Sequence, residues 1–175
     1  MPIEQRRIVT GQDAEGKSVV VLDGPTSAVL NMGGFRVAQF WVSDGTPADN
    51  AVRGDAANRP IRLEPPPNGN NFWYIWIEPL PEAIPAKEIE KAVGALFAQM
   101  GAQHCQVDPA RNPGMHKTKT LDYIIVLSGK VTLLLDKGEV ELNPFDTVVQ
   151  RGTSHAWINR GPEAVVLAAV VMDAK

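Results

Sequence analysis

A single cysteine, Cys105, stands in 175 residues. It leaves no partner for an intrachain disulfide and favours a reducing compartment, with an intermolecular bridge still open. Positive charge is not in surplus: 17 Lys and Arg face 20 Asp and Glu, for a formal net charge of -3. That balance supplies no counterion-releasing affinity for phosphate backbones, and no helix-turn-helix pattern accompanies it, so nucleic acid is not an expected partner. No apolar run approaches the ~18 residues that a membrane helix needs. The opening MPIEQRRIVTGQD carries basic residues without the apolar stretch of a signal segment. A cytosolic protein with no membrane partner is expected. Histidine is scarce too, with three copies, His104, His116 and His155.

What the chain does have is punctuation. Its 15 Gly and 14 Pro divide short runs of β-branched and aromatic residues, the pattern of a turn-rich β protein. In the amino-terminal part, Ser18 to Leu22 and Phe35 to Ser43 read as strands. The stretch from Thr46 to Asn70, interrupted by Pro65-Pro66-Pro67-Asn68-Gly69, reads as a long ordered loop or Pro-rich arm, followed by an aromatic strand, Phe72 to Glu78. One helix is expected over 85–100: Pro85 sits near its first turn, Ile89, Val93, Leu96, Phe97 and Met100 recur at helical spacing, and Gly101 stops it. Its expected role is to cover a sheet face or a subunit interface. From Tyr123 onward, strands at Tyr123 to Leu127, Val131 to Leu135, Glu139 to Leu142, Thr147 to Gln150 and Ala164 to Met172 are separated by turns too short to hold a crossover helix. The expectation is therefore all-β and antiparallel, a sandwich or jelly roll. The length fits one domain over 1–175, made of amino-terminal strands and arm (1–84), helix (85–101) and a core from 104 to 175.

Two of the three histidines lie in a recurring frame. The first segment is Pro113-Gly114-Met115-His116-Lys117-Thr118-Lys119-Thr120-Leu121-Asp122-Tyr123, with Gly129 closing the next turn. The second runs from Asp146 through Gln150-Arg151-Gly152-Thr153-Ser154-His155 to Asn159. Together these resemble the two motifs of the cupins, in particular a mostly uncharacterised branch of single-domain cupins. The resemblance implies a jelly-roll β-barrel with extra amino-terminal strands, and a metal set of His116, Asp122 and His155. Thr118 stands at the place of a second motif histidine, Asp122 at that of the glutamate, Gln150 at that of a proline and Phe145 at that of a glycine.

Two imidazoles and one carboxylate form a ligand set that suits non-haem iron or, with water, zinc. One divalent ion, Fe or Zn, is the expected cofactor. Thr118, Thr120, Tyr123, Gln150 and Trp157 are expected around it as pocket or supporting residues, with Trp157 two residues past His155 on the same wall. For each of these a structural role stays open: Asp122 as a backbone cap, the threonines as strand formers and Tyr123 as core. Arg151 is open to holding a carboxylate or to a surface ion pair, and His104 beside Cys105 is a possible second metal pair. The function expected is a metal-dependent oxygenase or a decarboxylase or dehydratase acting on a small apolar or aromatic molecule with a carbonyl or enolisable group. The alternative is a non-catalytic binding protein for such a molecule. A homodimer is expected to cover the aromatic strand as an exposed edge.

Overall fold

The computed structural model describes residues 5–80 and 84–175. Eleven strands and one α-helix are found among them. Strands β1 (Arg6–Gln12) and β2 (Ser18–Pro25) form a hairpin of their own. The main sheet has six strands in the order β3-β4-β5-β11-β6-β9, all pairs antiparallel. Its members are β3 (Val29–Asn31), β4 (Phe35–Ser43), β5 (Asn70–Ile77), β6 (Thr120–Ser128), β9 (Thr147–Gln150) and β11 (Val165–Asp173). A three-stranded antiparallel sheet has the order β10-β7-β8, from β7 (Val131–Leu135), β8 (Glu139–Leu142) and β10 (His155–Ile158). The all-β expectation with one helix therefore holds.

One core cluster draws on both of the larger sheets: Val37, Trp73, Ile124, Val126 and Leu167 from the six strands, Val131, Leu133 and Leu142 from the three. Helix α1 (Ala86–Gln99) adds Phe97, with Val93 and Leu96 packed behind it, so its apolar stripe faces the core as its spacing predicts. Pro85 caps its amino end, and Gly101 follows its last turn at φ 66°, a backbone region that costs a glycine little.

Two expectations are corrected. The aromatic strand is not an edge. β5 lies between β4 and β11, so its amides are already paired and no partner is needed to cover them. The Pro-rich stretch does not project as an arm. Ala56, Ala57 and Ile61 of this loop are buried, and polar side chains fasten it. Gln39 donates from Nε2 to the Ala57 carbonyl at 2.9 Å and accepts from Trp73 Nε1 at 3.2 Å. Arg7 of β1 donates two bonds to Asp55, both at 2.7 Å. This guanidinium is largely buried, and the geometry is the paired fork that holds a carboxylate best.

Phe145, at the position where the motif has glycine, adopts φ 74° while its ring is 81% exposed. A side chain in the left-handed region costs roughly 1–2 kcal/mol, and an exposed ring returns little packing. Glycine gives back part of that gain through its freer unfolded chain. Phe145→Gly is therefore expected to stabilise the fold by up to about 1 kcal/mol in chemical denaturation. A net loss would show that the ring makes a contact of value.

Candidate functional site

Along β6 the side chains alternate. Thr120, Asp122, Ile124 and Val126 face the interior, whereas Tyr123 and Ile125 face out and are half exposed. Asp122 is thereby carried inside on the strand that pairs with β9, opposite Gln150. His155 begins β10, and His116 lies in the segment that reaches β10 through an isolated bridge. Its N–H donates to the His155 carbonyl at 2.9 Å, and the His155 N–H returns the bond at 3.0 Å.

This bridge sets the two imidazoles side by side, 4.2 Å between ring centroids. Phe97 of α1 packs on His116 at 5.4 Å and Trp157 stands edge-on to His155 at 5.9 Å, so each imidazole has an aromatic neighbour. Trp157 is where its spacing from His155 placed it.

Both rings have a fixed tautomer. His116 Nδ1 lies 2.8 Å from the Gly114 carbonyl and His155 Nδ1 2.9 Å from the Thr153 carbonyl. A carbonyl can only accept, so each Nδ1 carries the hydrogen and each Nε2 keeps its lone pair. Neither Nε2 has a hydrogen-bond partner among the described residues. Burial holds both rings neutral. His116 is shifted below the ordinary histidine range, while His155 is pushed down to about 3 by burial and then by the neighbouring His116. Two neutral, carbonyl-oriented imidazoles with free Nε2 atoms are what a metal requires of histidine.

The third member is strained in a different sense. Asp122 is buried and its Oδ1 has no hydrogen-bond partner. Desolvation raises its pKa from 3.8 to about 6, with the Thr120 hydroxyl offsetting part of the rise. Among the described residues, Asp122 does not join His116 and His155 in a group whose ligand atoms all lie within 4.8 Å of one another. The Asp122 Oδ1 and the two imidazole Nε2 atoms are thus polar groups that the described residues leave without a hydrogen-bond partner.

The supporting residues divide. Thr118 and Thr120 share a hydrogen bond of 2.7 Å between their hydroxyls. Gln150 turns its amide to the Thr153 carbonyl at 3.0 Å and hydroxyl at 2.7 Å, which braces the turn that delivers His155. In that turn Gly152 has φ 60°, and a Cβ there would meet the Thr118 carbonyl at 3.0 Å. Tyr123, expected at the pocket, lies on the opposite face of β6, because neighbouring residues of a strand point apart. On that outer face a groove of about 540 Å³ is lined by Arg36, Tyr74, Trp76 and Val166 among others.

Glu64, His104 and Cys105 form the second group, with ligand atoms all within 4.8 Å of one another. Such a set could hold a metal ion. Glu64 could not have been anticipated, since it stands 40 residues before His104 in the irregular loop. The Cys105 thiol is pushed up to about 11, chiefly by burial and then by Glu64, so it is protonated rather than a free nucleophile.

Residues 103–171 match the family described as Cupin domain. Among the curated relatives, Phomopsin biosynthesis cluster protein C' of Diaporthe leptostromiformis is 28% identical over 161 residues, 90% of this chain and 72% of that protein. Phomopsin biosynthesis cluster protein D of the same organism is 46% identical over 59 residues, 33% of this chain and 31% of that protein. A cupin-domain-containing oxidoreductase of Aspergillus ruber is 40% identical over 52 residues, 29% of this chain and 26% of that protein. In the last two the match spans less than a third of the relative. The carboxyl-terminal part of this chain, residues 103–171, is a cupin domain.

Proposed function

We propose that this protein is a metal-dependent enzyme, oxidoreductase in type, acting on a small apolar or aromatic molecule with a carbonyl or enolisable group. His116, His155 and Asp122 would hold one divalent ion, iron or zinc. The observation that carries the reading is the pair of adjoining imidazoles whose Nε2 lone pairs have no partner among the described residues while their Nδ1 atoms are tied to backbone carbonyls. Oxidoreductase is the printed description of three cupin-domain relatives, which supports redox chemistry over lyase chemistry.

The ion, when bound, would supply dioxygen chemistry if iron or Lewis-acid stabilisation of an enolate if zinc. The residues do the rest. The carbonyls of Gly114 and Thr153 aim the rings, while Trp157 and Phe97 supply apolar surface and exclude water around them. Asp122, whose pKa is raised to about 6 by burial, is a carboxylate at neutrality and can meet a cation as one. A second reading, a non-catalytic binding protein, is favoured by Thr118, which offers a hydroxyl already bonded to Thr120 where the cupin motif offers an imidazole.

The deciding measurement is metal content by plasma mass spectrometry on untagged protein, made in a His104→Ala background so that the outer cluster does not contribute. Near-stoichiometric iron or zinc is expected. It should be lost on adding His116→Ala or His155→Ala while circular dichroism is unchanged. No bound metal, even after anaerobic Fe²⁺ or Zn²⁺ reconstitution, would displace the enzyme reading in favour of the binding protein.

A further inference from the structure

Apart from the histidine pair, the chain brings together a thiol, an imidazole and a carboxylate from two segments far apart in sequence. Cys105 ends a 3-10 turn (Gln103–Cys105) and is buried, with His104 before it and exposed. Cys105 Sγ lies 3.5 Å from His104 Nε2, which in turn lies 2.8 Å from Glu64 Oε2. A tetrahedral zinc with Zn–S about 2.3 Å and Zn–N about 2.0 Å sets its sulfur and nitrogen roughly 3.5 Å apart, so the S···N spacing already matches. The N···O spacing of 2.8 Å would have to open, and that contact belongs to an exposed imidazole.

The frame around the cluster is fixed from behind. Glu64 Oε1 accepts the Lys119 N–H at 3.1 Å, which leaves Oε2 for the cluster. The Cys105 carbonyl accepts the Lys117 N–H at 2.8 Å. The backbone thus holds two of the three ligands without using their coordinating atoms.

We infer that Glu64, His104 and Cys105 form a second metal site, selective for a thiophilic divalent cation of the zinc class, with the fourth position open to water. Sulfur, nitrogen and oxygen in one set suit zinc, whereas an all-oxygen ion such as magnesium gains nothing from the thiolate. On binding, the Cys105 S–H proton leaves to solvent and the sulfur becomes the ligand. The site also bears on the first one. Gln106 pairs with His116, Lys117 with Cys105 and Lys119 with Glu64, so an ion here would pin the segment that carries His116 and Thr118.

The test is a cobalt(II) titration of the full chain followed by absorbance. The histidine site contains no sulfur, so a thiolate-to-cobalt charge-transfer band in the near ultraviolet reports the Cys105 cluster whether or not the other site binds. A saturable one-equivalent band is expected, displaced by zinc, unchanged in His116→Ala, and absent in Cys105→Ser, His104→Ala and Glu64→Gln. Cys105 is buried and its variant could fail to fold. His104→Ala alters an exposed side chain and Glu64→Gln keeps the bond to Lys119, so these two carry the decision. The absence of a band in the unaltered protein, or a band that survives in both His104→Ala and Glu64→Gln, would overturn the inference, the latter by showing cobalt held by the thiol alone.

Discussion

Asp122→Asn is expected to stabilise the metal-free protein above about pH 6 and to have no such effect below pH 3.8. In the fold this carboxyl resists ionisation up to about pH 6, whereas in the unfolded chain it ionises from 3.8. Between those values the unfolded state gives up a proton that the folded state keeps, so stability falls as pH rises and then levels off. The gap corresponds to about 3 kcal/mol, and relaxation around the charge would reduce the realised gain to about 2 kcal/mol. Asparagine keeps the shape and never ionises, so it escapes the penalty. The same change should weaken metal retention at the histidine pair, because a neutral amide is a poor substitute for a carboxylate. Higher stability with lower metal content is the signature of a residue kept for function at a cost to folding. Urea denaturation of chelator-treated protein across this pH range checks it. Equal stability of the two proteins above pH 6 would mean that the Asp122 charge is already compensated.

The parts of the fold legible in the sequence were those bounded by strong turn chemistry. β7, β8 and β9 fall where Ser128-Gly129-Lys130, Asp136-Lys137-Gly138 and Asn143-Pro144-Phe145-Asp146 place them. Gly129 and Gly138 do adopt positive φ, and at Gly129 a Cβ would meet the Ala164 carbonyl at 2.8 Å. β10 is four residues long and begins on His155 itself, so its motif was visible while its strand was not. β1 and β3 carry no legible strand signal, because one has a glycine in its run and the other is three residues long. The fates of β5 and of the Pro-rich loop were decided by pairing with β11 and by Gln39, Trp73 and Arg7 reaching across the chain. No local pattern encodes such long-range contacts. The histidine pair was legible as chemistry, but its tautomers became readable only from carbonyls two residues before each ring. Glu64 carried no local signal at all.

A large acid response is expected from His155, and Asp122 should partly conceal it. His155 is neutral in the fold down to about pH 3 and titrates near 6.5 when unfolded. As pH falls between those values the unfolded chain takes up a proton that the fold refuses, so stability is lost, on the order of 4–5 kcal/mol if burial is fully maintained. Asp122 has the opposite slope over most of the same window, since its folded form gains its proton at about 6 and its unfolded form only at 3.8. From about 6 to 3.8 the two contributions largely cancel, leaving the part due to His116, which burial shifts in the same direction as His155. Metal-free protein should therefore lose stability less steeply above pH 3.8 than below it. In Asp122→Asn the opposing slope is gone, so the loss should begin near pH 6.5 and run at full steepness. Adding His155→Gln to that variant should lower the slope to the part due to His116, whatever its own cost to packing, because the slope counts protons rather than contacts. Stability against pH for the three proteins tests this directly. Parallel curves for the unaltered protein and Asp122→Asn would mean that the buried acid and the buried imidazoles do not keep their protonation states through folding.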